Sequence, residues 1–365
     1  MTQKQSAFRL YSGRLQPYKG WAFKPLGTSE MADALVKTGR LVTLFGGSGF
    51  IGRHVVRALA RDGWRVRVAS RRPDLAFHLQ PLGKVGQIHA VQANLRFPDS
   101  IVHALRDADV VVNLVGILSE TGAQTFDSVQ AEGAEALAKA ARAAGASAFV
   151  QLSAIGADAG GASAYARSKA RGEALVQAAF PGAIVLRPSV VFGPEDQFFN
   201  RFAAMARYLP ALPLIGGGGT KLQPVFVGDV AKAAALAVSG GATAGSIYEL
   251  GGPEVATLRR IMEFVLKTTG RKRPLTPISF GQAKLIGLIS EAATKLSFGL
   301  YPQTFAITRD QVELLRTDNV VSDAAKAEGR TLEGLGITPE SFEAFAPTYL
   351  ARYRATGLFA DRRFA

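Results

Sequence analysis

The chain contains no cysteine and only four histidines, His54, His78, His89 and His103, among its 365 residues. Without cysteine there is no disulfide, no thiolate zinc site and no cysteine nucleophile, and no sign of an oxidising compartment. The histidines are not spaced as a metal pair, so no metal centre is expected. Long apolar runs are missing too. The most apolar stretch, Val110 to Leu118, is far too short to span a bilayer and carries Asn113. The N-terminus lacks the apolar core of a secretory signal. There is no internal repeat and no low-complexity tract.

Acid is scarce relative to base: 29 acidic residues against 43 basic ones give a formal charge of +14. Such a surface attracts polyanions. Three clusters carry much of it: Lys4, Arg9, Arg14, Lys19 and Lys24; then Lys267, Arg271, Lys272 and Arg273; then Arg352, Arg354, Arg362 and Arg363. No zinc finger or RNA-binding aromatic motif accompanies them, so nucleic acid is not an expected partner. An acidic membrane surface or an acidic protein is favoured. The composition, 48% hydrophobic and 20% charged, is that of a folded globular chain. At ~100–200 residues per domain, the length fits two domains or one large domain with an appendage.

Strand and helix signals alternate through the first half of the chain. Leu41–Phe45 is an apolar run that stops at glycine. A helix follows with Val55, Val56, Leu59 and Ala60 at helical spacing, ending at Gly63. Further strands are expected at 66–69, 88–92, 110–114, 149–152 and 184–186, with helices at 129–144 and 165–179 between them. This rhythm predicts an α/β fold, a Rossmann-like doubly wound parallel sheet with both faces covered. After Pro188 the rhythm breaks. The expected division is a basic extension over 1–38, a dinucleotide-binding domain over 39–190 and a smaller substrate-side lobe over 191–365. Strands within 224–250 are expected to interleave with the main domain.

Between the first strand and its helix lies Gly46-Gly47-Ser48-Gly49-Phe50-Ile51-Gly52. The first glycine permits the tight turn, the middle ones let backbone approach a pyrophosphate, and the last lets helix and strand pack closely. The helix N-terminus then offers free N–H groups to phosphate. The end of the second strand selects the dinucleotide. An acid there binds the ribose 2′-hydroxyl of NAD, but this chain has Ser70-Arg71-Arg72. Two guanidiniums suit a 2′-phosphate, so NADPH is expected over NADH.

Tyr165 and Lys169 are four residues apart on a predicted helix and share one face. A lysine beside a tyrosine lowers the phenol pKa and equips it for proton exchange with a carbonyl or alcohol while hydride moves. The segment 282–296 is a different kind of helix. Leu285, Ile286, Leu288, Ile289, Ala292, Ala293 and Leu296 fall on one face, with Lys284, Glu291 and Lys295 largely on the other. It is either a core-packing helix or an amphipathic one resting on a membrane or a partner.

Together these residues resemble the extended and atypical short-chain dehydrogenase/reductase superfamily over about residues 40–280. A narrower likeness is to the NADPH-binding, dehydrogenase-like accessory subunits of respiratory complex I and their bacterial relatives. Gly46–Arg53, Pro224–Ala231 and Tyr248–Glu254 carry it, as do Thr308–Leu315 running on to Asp318–Ser322, and Tyr349–Arg354. The resemblance implies a bound NADPH with a structural role, complex I peripheral-arm subunits as partners, and a place beside the membrane. That place is the cytoplasmic face of a bacterial inner membrane, or the mitochondrial matrix in a eukaryote. An active NADPH-dependent reductase or epimerase is the alternative. The resemblance also implies contacts to the dinucleotide from Asn94 and Leu95 after the third strand, Val115 and Gly116 after the fourth, and Pro188 and Val191 after the sixth. Ser153 is the candidate for the third catalytic group. The family usually places that hydroxyl one or two residues later, where this chain has Ala154 and Ile155. Residues 1–30 lie outside the likeness; they read either as a transit-type leader, basic and poor in acid, or as an extension ahead of a start at Met31.

Overall fold

A computed structural model describes residues 39–296 and 306–354, apart from the side chain of Lys295. The basic extension, Met31, Arg362 and Arg363 lie outside the described residues.

The strands are β1 (Leu41–Phe45), β2 (Arg65–Ser70), β3 (Ile88–Gln92), β4 (Val110–Asn113), β5 (Ala148–Leu152), β6 (Ile184–Pro188), β7 (Leu212–Ile215), β8 (Ile247–Leu250) and β9 (Leu275–Ile278). The helices are α1 (Phe50–Arg61), α2 (Pro98–Ala104), α3 (Glu132–Ala143), α4 (Ala164–Ala179), α5 (Phe199–Tyr208), α6 (Val227–Val238), α7 (Leu258–Thr269), α8 (Phe280–Leu296), α9 (Arg309–Leu314), α10 (Asp323–Ala327) and α11 (Phe342–Leu350). Seven strands form one parallel sheet in the order β8-β6-β5-β4-β1-β2-β3. The order reverses between β1 and β4, which opens a crevice at their carboxyl ends, the place where such sheets bind ligands.

Both sheet faces are covered, so the central strands are apolar throughout rather than alternating. All five residues of β1 are buried. One face carries α1 and α6, where Val55, Val56 and Leu59 meet the alanines of α6. Alanine at Ala231, Ala233, Ala234 and Ala237 lets the two helices approach closely. The other face carries α2 and α3, through Ile101, Ala134, Leu137 and Ala141. Strand β8 returns from the second half of the chain to pair with β6.

A second core lies outside the sheet. Phe192, Phe199 and Phe342 are fully buried there, and Phe264 meets Phe342 edge to face at 5.1 Å. Burying each ring contributes ~1.5–3 kcal/mol. Asp196 ties this core together: it accepts from Tyr349 Oη at 2.6 Å and from the backbone N–H groups of Gly193, Phe198 and Asn200.

Three local readings change. The helix expected over 129–144 starts with a π-helical turn, Asp127–Ala131, before α3. The first strand expected within 224–250 is only Val225–Phe226, because Val227 opens α6. The third concerns α8. Its inward face is made of Ala283, Gly287 and Ser290. Leu285, Ile286, Leu288, Ile289 and Leu296 face outward, 43–79% exposed. Lys284 and Glu291 are held by the α9 side, pairing with Glu313 and Arg309. The core-packing reading is therefore overturned, because small residues allow closer contact with α9 than the large aliphatic ones would.

Candidate functional site

The glycine loop sits at the crevice between β1 and β4. Gly46 has φ +82°, and a Cβ there would lie 3.0 Å from Leu114 C and Val115 N. A Cβ on Gly52 would lie 2.3 Å from Gly46 O and 2.6 Å from Gly47 Cα. No other residue type fits either position without moving backbone. Helix α1 has no side-chain cap and no acid in its first turn, so its leading N–H groups remain available to an anion. Ser48, Gly49, Phe50 and Ile51 complete this cradle. On the facing side, Asn113 donates to Gln151 Oε1 at 2.9 Å and accepts from Val115 N at 3.1 Å. That fixes Val115 and Gly116 against the crevice.

At the β2 end the two adjacent arginines take different partners. Arg72 is turned away, its guanidinium 2.8 Å from Asp74 Oδ2. Ser70 Oγ accepts from Arg72 N at 3.3 Å. Arg71 donates instead to Gln124 Oε1. Asn94 accepts from Arg96 N at 3.2 Å. Leu95 is buried under Gly133 in the sheet core, so its side chain is a core residue rather than a groove residue.

Helix α4 carries the tyrosine and lysine. Lys169 Nζ lies 5.8 Å from the centre of the Tyr165 ring and donates to Leu152 O at 3.4 Å. A Cβ on Gly116 would lie 3.3 Å from the same Nζ, so the lysine faces the loop after β4. Phe126 meets the Tyr165 ring edge-on at 5.9 Å. Ser153, at the end of β5, is 5% exposed and its Oγ has no partner. Pro188 is buried at the end of β6, and Val191, half-buried, pairs with Val225. Ile155 packs on Val321 and Ala325, so the two positions after Ser153 offer no hydroxyl.

Burial lowers the Lys169 pKa to about 8, with Glu173 opposing the shift. Burial and the Asp310 carboxylate push the Tyr165 phenol up to about 12. Both shifts run against an ionised tyrosine. They also give Lys169 a sign in folding. Between pH ~8 and ~10.5 an unfolded lysine holds a proton that the folded one has released, so this group makes stability rise with pH there. Lys169→Met is expected to remove that rise. Urea midpoints for the two proteins at pH 7, 8, 9 and 10 test it; a wild-type advantage that shrinks as pH rises would contradict the assignment.

Three groups at this site escaped the sequence reading. Asp310, from α9, accepts from Ser163 Oγ at 2.8 Å, Ala164 N at 2.7 Å and Tyr165 N at 3.3 Å. Asn319 donates to Ile155 O at 2.9 Å and accepts from Ser189 Oγ at 2.6 Å. The segment from 306 to 322 is thereby stapled across the tyrosine helix and the ends of β5 and β6. The stretch was legible as a family signature but gave no hint of its target. Gln130, in the π-helical turn, donates to Ile117 O at 3.0 Å while its Oε1 is buried without a partner. Nothing in its local sequence marks it. No group of three or more metal-ligating side chains gathers among the described residues.

Residues 42–251 match the family described as "NAD dependent epimerase/dehydratase family". The chain belongs to this family. Its sheet order and glycine loop are what the dinucleotide-binding half of that family requires. Among curated relatives, the chain is 34% identical over 325 residues to "NADH dehydrogenase [ubiquinone] 1 alpha subcomplex subunit 9, mitochondrial" of Arabidopsis thaliana, covering 88% of this chain and 79% of that protein. It is 32% identical over 296 residues to "Ceramide reductase" of Caulobacter vibrioides, covering 79% of this chain and 88% of that one. Among solved structures, it matches DesIV, a dTDP-glucose 4,6-dehydratase from Streptomyces venezuelae, with a TM-score of 0.63 at 20% identity over 88% of this chain and 98% of the other. At that identity the match concerns the fold alone.

An NAD(P)-type dinucleotide fits these residues. The cradle at Gly46 and Gly52 cannot hold a side chain, and the unpartnered Ser153 Oγ lies at the end of β5.

Proposed function

We propose that this protein is an NADPH-holding accessory subunit of respiratory NADH:quinone oxidoreductase, in which the dinucleotide is structural. The supporting observation is the staple of residues 306–322. It places the Asp310 carboxylate beside Tyr165 and seals Ile155 under Asn319. A proton-donating tyrosine needs a neighbouring cation and a second donor at the reacting oxygen. Here the Asp310 carboxylate raises the phenol pKa, and Ala154 and Ile155 add no hydroxyl to that of Ser153. The nicotinamide supplies a hydride when it is bound. In this reading Tyr165 and Lys169 instead hold the adjoining ribose, and the loops at 46–52 and 115–116 hold the phosphates. The similarity to the Arabidopsis subunit supports the assembly.

The outward face of α8 supports it as well. Five large aliphatic side chains lie open to solvent while Lys284 and Glu291 pair with the α9 side. No described helix is long and apolar enough to cross a membrane. We assign α8 to the contact with the peripheral arm beside an acidic membrane surface, at the cytoplasmic face of a bacterial inner membrane or the matrix side of a mitochondrial one.

A second reading is an active NADPH-dependent reductase. Tyr165, Lys169 and Ser153 are all present, and the similarity to a ceramide reductase favours a lipid carbonyl. One experiment separates the two. The protein is captured from mild-detergent extracts of its host membranes, its companions are identified by mass spectrometry, and the eluate is assayed for NADPH oxidation with long-chain ketones. Peripheral-arm subunits with no turnover are expected. A solitary protein with turnover that Tyr165→Phe abolishes would replace the first reading with the second.

A further inference from the structure

We infer that the adenosine 2′-phosphate is held by Arg71 and Arg96 beneath the 121–124 turn, with Gln124 occupying Arg71 until the phosphate displaces it. This rests on the NADPH reading above and names the residues behind it.

The argument starts from where the guanidiniums point. Arg71 follows β2, and Arg96 follows β3, neighbouring strands whose carboxyl ends flank the ribose position of such a fold. Both reach the same short turn, in which Thr121 and Gln124 exchange backbone hydrogen bonds at 3.1 Å each. Arg71 donates to the Gln124 side-chain oxygen, and Arg96 donates to the Ala123 carbonyl at 3.2 Å. Two cations from different strands therefore converge on adjacent residues, and both are satisfied there by neutral oxygens. Neither has a carboxylate partner among the described residues.

The nearby acids are already engaged. Asp74 holds Arg72 at 2.8 Å, and Glu120 accepts from Phe126 N at 2.8 Å. Arg72 is thus already paired with a carboxylate, whereas Arg71 and Arg96 are not. A neutral amide oxygen on Arg71 is a weak substitute for a dianionic phosphate, because hydrogen bonds to charged groups are about twice as strong. The Arg96 bond to the turn backbone keeps the turn over the site whichever acceptor Arg71 holds. Specificity for the 2′-phosphate is then a matter of Arg71 and Arg96, and the turn is the cover.

Isothermal titration of the full chain with NADPH and with NADH tests this, using wild type, Arg96→Ala, Arg72→Ala and Gln124→Ala. One charge-assisted contact is worth about 10- to 100-fold in affinity. Arg96→Ala is expected to weaken NADPH by about that factor while NADH changes little. Arg72→Ala should leave both nearly unchanged. Gln124→Ala should leave NADPH bound as tightly as in wild type or tighter, since it removes a competitor for Arg71. Thermal melts of the ligand-free variants control for folding. If wild type binds NADPH no better than NADH, the NADPH reading itself fails. If wild type prefers NADPH but Arg72→Ala erases the preference and Arg96→Ala does not, the assignment to Arg96 is overturned and the NADPH reading stands.

Discussion

Replacing Gly52 with alanine is expected to abolish measurable dinucleotide binding. The new Cβ would lie 2.3 Å from Gly46 O, 2.6 Å from Gly47 Cα and 2.7 Å from Gly47 C. All three are backbone atoms, so no side chain can swing aside. Either the loop lifts from α1 or the helix start shifts outward. Each movement separates the free N–H groups of α1 from the turn that shapes the pyrophosphate site. A loss on the order of 100-fold or more in Kd is expected for NADPH and NADH alike, since both share that contact. Crowding of this kind also costs ~1–3 kcal/mol of stability. Gly281→Ala is the control, because its nearest neighbour is Ser279 Oγ at 3.9 Å. Titration and thermal melting of both variants check the prediction. Wild-type affinity in Gly52→Ala would mean that the crevice does not hold the pyrophosphate.

The second large effect concerns Glu173 and Arg187. Glu173 lies one turn beyond Lys169 on α4 and is 4% exposed. Its carboxylate takes Arg187 Nε at 2.9 Å and Nη2 at 2.5 Å, a two-pronged pair that joins α4 to β6. The carboxylate raises the Arg187 pKa, so the guanidinium stays charged. Glu173→Ala leaves that charge largely desolvated, with Glu249 at 3.7 Å as its remaining partner. Breaking a buried pair in this way costs ~3–5 kcal/mol. Removing both charges is a different perturbation, because Glu249, which then loses Arg187, still accepts from Ser322 N at 2.7 Å. Glu173→Leu combined with Arg187→Met is expected to recover most of the loss. Urea unfolding of single and double variants tests this. A single variant that loses less than ~1 kcal/mol would show that Glu249 and water already satisfy Arg187.

Legibility in this chain followed the range of the interactions. The run Leu41–Phe45, the glycines after it and the periodic residues of α1 announce themselves, because each requirement is met within a few neighbouring residues. The parallel sheet could be read from the alternation of elements, since only covered faces permit strands without polar alternation. The pair Tyr165 and Lys169 was equally visible, because four residues make one helical turn. What surrounds that pair was not visible. Asp310 stands 145 residues from Tyr165, and only the path of the chain after α8 brings its carboxylate there.

The same distinction holds at the end of β2 and on α8. Adjacent arginines after β2 looked like two phosphate ligands. Asp74, two residues on from Arg72, takes one of them, and Arg96 arrives from the next strand to face the same turn as the other. On α8, helical spacing defined an apolar face but not its direction. Ala283, Gly287 and Ser290 allow close packing on α9, and that packing turns the leucines and isoleucines outward.

The sequence by itself determined the Rossmann-like sheet, the glycine-rich turn before α1 and the family, because hydrophobic period, glycine steric freedom and helical pitch are local properties of a chain. Only the tertiary structure decided which charge sits beside Tyr165, which arginines are free for a ligand and which side of α8 meets the outside. Those depend on contacts between distant segments, whose geometry is set by how the second core packs against the first.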